Sequence, residues 1–280
     1  MNTEVENFLA SHPYSVETKA AYRPVLDELT GQPFEAWAAS DLLNFVTRSN
    51  WGNSRQYVNL CACRKFIAWK FGQSHPALNA RLKRIKPKKG RSLSFSQLVQ
   101  LLASFNTYTA IGARDLALAA LAIDTGLRES ELARLQLVDI ELENRTLQVI
   151  VKGGQWETAV YSHETAMAVD RWLNYRTPAP GVGSVFVSMA PNKRAGQQLT
   201  KHGIKAIFKK WGCSLGWKMS PHDARRTFGN LATLLGSPQS VTMAAGRWHN
   251  EEAFRRYTQE ITALAITPYL PVAHAMNPKS

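Results

Sequence analysis

The sequence predicts a mainly α fold with one small antiparallel β-sheet. Three observations carry the prediction. Apolar residues recur at helical spacing through most of the 280 positions. Between Val138 and Tyr161 the pattern changes to short apolar runs, with turn dipeptides at Asn144-Arg145 and Gly153-Gly154. From Arg81 to Arg91 seven of eleven residues are basic, with Pro87 and Gly90 among them, which makes a poor core and a good linker. The chain is long enough for the two domains that such a linker implies.

Residues 1–80 read as a small helical domain. Tyr14 to Leu29 has helical spacing and is broken by Gly31 to Pro33. Ser40 and Asp41 start a second helix that runs through Val46 and ends near Asn50 to Asn53. Ser54 to Phe71 is longer and carries Tyr57, Leu60, Cys61, Phe66, Ile67 and Trp69. Residues 81–91 form the basic linker. Residues 92–280 form a second domain, with a tail from 258. Here Ser94 to Phe105 and Gly112 to Asp124 read as helices, with Gly126 near the end of the second. Val138 to Glu141, Thr146 to Val151 and Glu157 to Tyr161 read as strands. A helix from His163 to Tyr175 leads to a Pro- and Gly-rich loop at Thr177 to Gly183, then to apolar Val185 to Val187. Helices are expected at Thr200 to Trp211, Pro221 to Leu235, Ser240 to Ala245 and Glu251 to Tyr257.

Charge narrows the function. The chain has 34 Lys and Arg against 21 Asp and Glu, a formal charge of +13, which suits a polyanionic partner, most simply nucleic acid. Between Asp41 and Asp115 there is no acid but there are 13 bases, from Arg48 to Arg114, which reads as a surface that tracks phosphates. Within it, Arg81, Lys83, Arg84, Lys86, Lys88, Lys89 and Arg91 are the linker's candidate DNA contacts. Cys61, Cys63 and Cys213 make no disulfide framework, and Cys61 and Cys63 read as core thiols rather than metal ligands. Met1 to Pro13 lacks an apolar run of signal-peptide type, and Leu116 to Ile123 is too short to span a bilayer. The expectation is a soluble, cytoplasmic protein without a membrane partner.

Several short segments can carry phosphate chemistry. Ser220-Pro221-His222-Asp223 is a helix start, with Ser220 as N-cap and Asp223 at capping-box spacing. His222 and Arg225 then share one face of the first turns, where a helix N-terminus already favours anions. Arg225 can give a phosphate two parallel hydrogen bonds, and His222 can add another or move a proton. Arg128 follows Gly126 at a bend, with Glu131 three residues on, able to orient its guanidinium. Lys152 ends the second strand, before Gly153-Gly154, where a hairpin tip can reach over a duplex. Tyr257 stands nine residues after Trp248, in a segment that Asn250 can cap. Each segment alone also has an ordinary structural reading: a surface ion pair, a solvated edge lysine, a packing tyrosine.

Taken in order, Arg128, Lys152, His222-x-x-Arg225, Trp248 and Tyr257 resemble the tyrosine recombinases, the phage-integrase family. The resemblance covers Ser92 to Tyr257 in motif order; residues 1–80 resemble, less specifically, that family's helical, SAM-like core DNA-binding domain. It implies an α+β catalytic domain in which Arg128, His222, Arg225 and Trp248 hold a scissile phosphate. Lys152 is then the general acid and Tyr257 the nucleophile that forms a 3′-phosphotyrosyl link, with no metal, nucleotide or other cofactor. Trp248 stands nine residues before Tyr257 and His249 eight; the spacing favours Trp248, with His249 and Glu131 in support. Phe254 replaces a threonine frequent in the family. The implied partner is double-stranded DNA, bound by a homotetramer on paired sites, with an accessory DNA-bending protein possible. A type IB topoisomerase-like strand transferase and a non-catalytic DNA-binding protein are the competing readings. Ile261, Leu264, Ile266, Tyr269, Leu270 and Val272 give the tail enough apolar surface to dock on a neighbouring subunit or on its own domain.

Overall fold

The computed structural model describes residues 2–48, 51–83, 90–151, 154–248, 250–251 and 254. The chain divides into two compact units, 1–87 and 88–280.

The first unit is helical: α1 (Thr3–Ala10), α2 (Val16–Leu29), α3 (Ala39–Thr47) and α4 (Asn53–Phe71), with 3-10 turns at Phe34–Ala36 and Pro76–Asn79. The first helix, α1, is not among the expected ones. It forms because the Asn2 side chain accepts the Glu4 N–H, and Val5, Phe8 and Leu9 fall on one face and bury. The helix expected from Tyr14 starts instead at Val16, because the Ser15 hydroxyl accepts the Thr18 N–H. The long helix α4 packs on α2 and α3, and Phe66, Ile67, Leu26, Leu29, Leu42 and Val46 fill the centre. Cys63 joins that core, and burial pushes its thiol far above the ordinary range. Cys61, two residues earlier, is exposed and corrects the expectation of a second core thiol.

The second unit surrounds a buried helix. Its helices are α5 (Phe95–Ala103), α6 (Ala110–Thr125), α7 (Glu129–Arg134), α8 (His163–Tyr175), α9 (Lys201–Ser214), α10 (Pro221–Leu234) and α11 (Gln239–Ala245). Three strands, β1 (Ile140–Glu141), β2 (Thr146–Ile150) and β3 (Trp156–Val160), form an antiparallel sheet in the order β1-β2-β3. Its register pairs Leu147 with Ala159, both buried, and Ile150 with Trp156, both outward. The first strand is shorter than expected. The Asp139 carboxylate takes the Gln136 N–H at 2.8 Å and closes a 3-10 turn over Leu137–Asp139, leaving Val138 exposed. Helix α6 packs against α5, α8, α10 and β3, so its Ala- and Leu-rich surface is buried almost all round. Val185 to Val187 is buried, but it pairs only through single bridges and is no strand of the sheet.

Arg114 departs from the phosphate-tracking surface expected of it. It is buried in α6, where Nε and Nη2 donate to Asp115 Oδ1 at 2.9 and 2.6 Å, and Trp211 Nε1 donates to Asp115 Oδ2 at 2.8 Å. Its charge is spent inside the core. Among the described residues no helix is long and apolar enough to cross a membrane.

Candidate active site

The site begins where α6 stops. Gly126 takes a left-handed conformation (φ 61°), and a Cβ there would come within 2.8 Å of the Phe228 ring, so only glycine fits both the turn and the packing. The chain then turns into α7, with Arg128 at the N-cap position. Arginine has no short side-chain acceptor to cap a helix, and Glu131 supplies the missing half. Its carboxylate reaches back to the Arg128 backbone N–H at 2.8 Å with Oε2, and takes Arg128 Nη1 at 2.7 Å with Oε1. The Glu131 side chain is 5% exposed and that of Arg128 41%, so a buried carboxylate holds a guanidinium that faces outward.

A second wall comes from α10. The Asp223 carboxylate accepts both the Ser220 N–H and its hydroxyl at 2.8 Å, which fixes the helix start at Pro221. One turn in, Arg225 is buried. Its Nη1 donates to the Gly126 carbonyl at 2.5 Å and its Nη2 to the Gly246 carbonyl at 2.6 Å. The guanidinium carbon lies 4.3 Å from the centre of the Trp248 ring, in cation–π range. Trp248 itself is buried, stacked on Phe228 and edge-on to Phe254. Gly246 lies so close to the Trp248 ring that any Cβ would enter it. Phe254, where the family frequently has threonine, is thus a packing residue beneath the tryptophan.

Arg128, Glu129, Ser130, Lys205, Lys209, Met219, Ser220, Pro221, His222 and Arg225 line one open cavity of about 580 Å³. Arg128 and the His222/Arg225 pair therefore meet at one place, although almost a hundred residues separate them in the chain. Trp248 stands behind Arg225 rather than in the lining. Burial, then the nearby Arg226 and Arg225, hold the His222 imidazole below its ordinary pKa, against the opposing pull of Asp223 and Glu129. A neutral imidazole beside guanidinium groups is suited to accepting or relaying a proton on a bound phosphate.

Three residues of the site are absent from the sequence reading. Lys205 and Lys209 bring two cations into the cavity from α9, and Lys205 Nζ lies 2.8 Å from Glu129 Oε1. The spacing of Lys201, Lys205 and Lys209 along one helix was the available signal. Arg247 is the third. It is buried with a left-handed φ of 56°, and it donates to the Thr125 carbonyl and to the Ala245 carbonyl, both at 2.9 Å.

Of the other expected residues, Lys152, His249 and Tyr257 lie outside the described residues, as do Arg84, Lys86, Lys88 and Lys89, most of the helix expected from Glu251 to Tyr257, and the tail. Strands β2 and β3 lead into residues 152–153, and the Val151 N–H bonds the Gln155 carbonyl across the hairpin at 2.9 Å. Arg81 and Lys83 are exposed in the first unit, where Arg81 folds back onto the Leu78 and Ala80 carbonyls. Arg91, exposed in the second unit, donates to the Lys218 carbonyl at 2.5 Å.

Comparison with known proteins bears on the family and the fold. The tyrosine recombinase XerC of Actinobacillus pleuropneumoniae serotype 7 is 29% identical over 178 residues, an alignment covering 61% of this chain and 56% of the relative. The XerC of Roseiflexus castenholzii is 28% identical over 250 residues, covering 81% and 79%. The chain thus spans little more than half the length of the first of these. Among solved structures, the Tn1549 transposon integrase in complex with transposon right-end DNA superposes with a TM-score of 0.75 at 14% identity, covering 96% of this chain and 98% of that one. XerA recombinase gives 0.57 at 18% identity, covering 97% and 98%. These two structural likenesses speak to the fold, a mostly helical one with a small antiparallel sheet. The phage integrase family model matches residues 91–263, well over half of the sequence and the whole of the cavity just described. The chain belongs to the phage integrase family.

Proposed function

We propose that the protein is a site-specific DNA recombinase that cuts and rejoins double-stranded DNA through a phosphotyrosyl intermediate. The observation that carries this is the meeting of Arg128, His222 and Arg225 on one open cavity, with Arg225 fixed by backbone carbonyls before any substrate arrives. Preorganised donors of this kind stabilise the extra negative charge of a pentacoordinate phosphorus most. The cavity carries more positive than negative charge, as a phosphodiester requires.

In this reading Arg128, Arg225 and His222 hold the non-bridging oxygens of the scissile phosphate, and Trp248 keeps Arg225 in place from behind. The Tyr257 oxygen attacks phosphorus and the P–O5′ bond breaks. Lys152 delivers a proton to the leaving 5′ oxygen, and neutral His222 can take the phenolic proton. The product is a 3′-phosphotyrosyl link and a free 5′ hydroxyl. A 5′ hydroxyl from a partner strand reverses the step, so the phosphodiester energy is conserved without nucleotide or metal. Arg81, Lys83, Arg84, Lys86, Lys88, Lys89 and Arg91 add phosphate contacts from the linker, with residues 1–80 as a second DNA-contacting domain. Two paired sites imply four subunits, joined through the apolar tail, with a bending protein where the site DNA is stiff.

The test is a denaturing gel for covalent protein–DNA adduct on nicked duplexes from the gene's own flanks, with Tyr257→Phe beside the unmodified protein. Adduct from the unmodified protein alone supports the reading. Equal adduct from Tyr257→Phe removes Tyr257 as nucleophile. Adduct formed without concentration-dependent assembly on DNA favours a monomeric strand transferase.

A further inference from the structure

Arg247 has an unusual position for its residue type. A φ of 56° is one that glycine, and at times asparagine, adopts without strain, whereas an arginine there is strained. The side chain is buried. It donates Nη2 to the Thr125 carbonyl and Nη1 to the Ala245 carbonyl, both at 2.9 Å. These two acceptors directly precede Gly126 and Gly246, whose carbonyls hold Arg225. The two arginines thus bind the same pair of turns side by side.

Two neutral carbonyls do not balance a buried guanidinium. Burial pulls the Arg247 pKa down, and the Glu131 carboxylate opposes that pull most. Arg247 Nη2 lies 3.9 Å from Glu131 Oε2. That is the carboxylate already bonded to Arg128 through both the backbone N–H and Nη1. One acid therefore serves two guanidinium groups, and the trio keeps one net positive charge. With Arg247 removed, Glu131 would act on Arg128 alone, and this wall of the cavity would lose one positive charge.

We infer that Arg247 is a positioning residue of the phosphate site: by sharing Glu131 it keeps Arg128 from being neutralised and the cavity able to hold an anion. The inference rests on the phosphate-binding role proposed above for Arg128. It does not require that the reaction be strand transfer.

The test is inorganic phosphate binding, by calorimetry, to the full chain and to Arg247→Gly, Arg247→Lys and the double variant Glu131→Gln/Arg247→Gly. Glycine suits the left-handed backbone but forfeits the two carbonyl bonds, so Arg247→Gly should melt at a lower temperature, stay folded at the temperature of the titration, and bind phosphate about tenfold more weakly. Arg247→Lys should fall between the two. The double variant should recover most of the lost affinity, because it removes the charge that Arg247 had been offsetting; a purely structural role predicts no such recovery. If Arg247→Gly does not fold, Arg247→Gln takes its place, alone and with Glu131→Gln, under the same criterion. Phosphate binding unchanged in the charge-deleted variant overturns the inference, as does a double variant no better than the single, or a parent protein that binds no phosphate. The recombinase reading fails separately, when the parent binds phosphate as expected yet makes no DNA adduct.

Discussion

The two walls of the cavity hold their arginines in opposite ways. On the α10 wall, Arg225 is buried, bonded to neutral carbonyls and backed by an aromatic face. On the α7 wall, Arg128 is half exposed and tied to a buried carboxylate. Neutral carbonyls orient a guanidinium without cancelling its charge, whereas a carboxylate orients it and cancels much of it. The first arrangement gives a rigid cation, held by two backbone carbonyls and an aromatic face. The second gives a partly exposed cation that shares its carboxylate with Arg247 and gains its full effect when phosphate competes for it with Glu131. The difference teaches that one arginine is built into the fold and the other is lent to the site.

Breaking the first wall should have the largest effect. Arg225→Ala removes two bonds that join the Gly126 and Gly246 turns, and leaves both carbonyls buried without it. Cleavage should fall by about a thousandfold or more, with a stability loss of about 3 kcal/mol, read by single-turnover adduct formation and urea melts. Arg225→Lys should recover little, since one ammonium cannot serve both carbonyls and a phosphate. Arg128→Ala should cost about a hundredfold in cleavage but only about 1 kcal/mol in stability, because the buried Glu131 carboxylate keeps the backbone N–H of residue 128 and the nearby Arg247 as partners. If Arg128→Ala destabilised the protein as much as Arg225→Ala, the contrast between the walls would be wrong.

That contrast was only half legible in the sequence. The His222-x-x-Arg225 spacing and the Ser220-Pro221 helix start sit within a few residues, and local rules read them directly: α10 begins at Pro221. The Arg128–Glu131 contact was legible for the same reason. The carbonyls that hold Arg225 were not, because Gly126 and Gly246 reach it from distant turns and a backbone acceptor leaves no mark in residue type. Arg247 was hidden twice: its φ is set by tertiary packing, and its partners Thr125 and Glu131 lie over a hundred residues away. Arg114 misled for the opposite reason. Counted as a surface base, it pairs with its neighbour Asp115, the acid just past the end of the basic run, inside a helix whose burial only the assembled fold reveals.

A change between the walls sharpens the comparison. Gly126→Ala strains a left-handed turn and presses on Phe228, and it should lower stability by about 1–2 kcal/mol. Because the Gly126 carbonyl holds Arg225, cleavage should fall with it, while the Arg128–Glu131 pair is unaffected. The next effect is smaller and depends on pH. His222 has a folded-state pKa below its ordinary value, so the unfolded chain binds its proton first as pH falls. Stability should therefore drop as pH falls from about 6.5 toward the folded-state pKa, with the penalty complete below it. His222→Gln should flatten that slope in thermal melts taken between about pH 5 and 7.5. A slope unchanged in the variant would mean that burial and the flanking arginines do not hold the imidazole pKa down.

The smallest effect belongs to Lys205, which carries the logic of the second wall outward. It pairs with Glu129 at 2.8 Å, yet about half of its side chain is exposed, so the pair adds little to stability. Its position in the cavity lining allows the ammonium to leave Glu129 for a DNA phosphate, with release of a counterion. Lys205→Ala should weaken DNA binding by roughly threefold, reduce the slope of log affinity against log salt by about one, and leave the cleavage rate of bound DNA unchanged. Glu129→Gln should do the reverse, raising affinity slightly by freeing the lysine. A Lys205→Ala variant with normal salt dependence and slow cleavage would move Lys205 from a binding contact to the reacting phosphate. The α9 side of the cavity would then resemble the Arg225 wall more than the Arg128 wall.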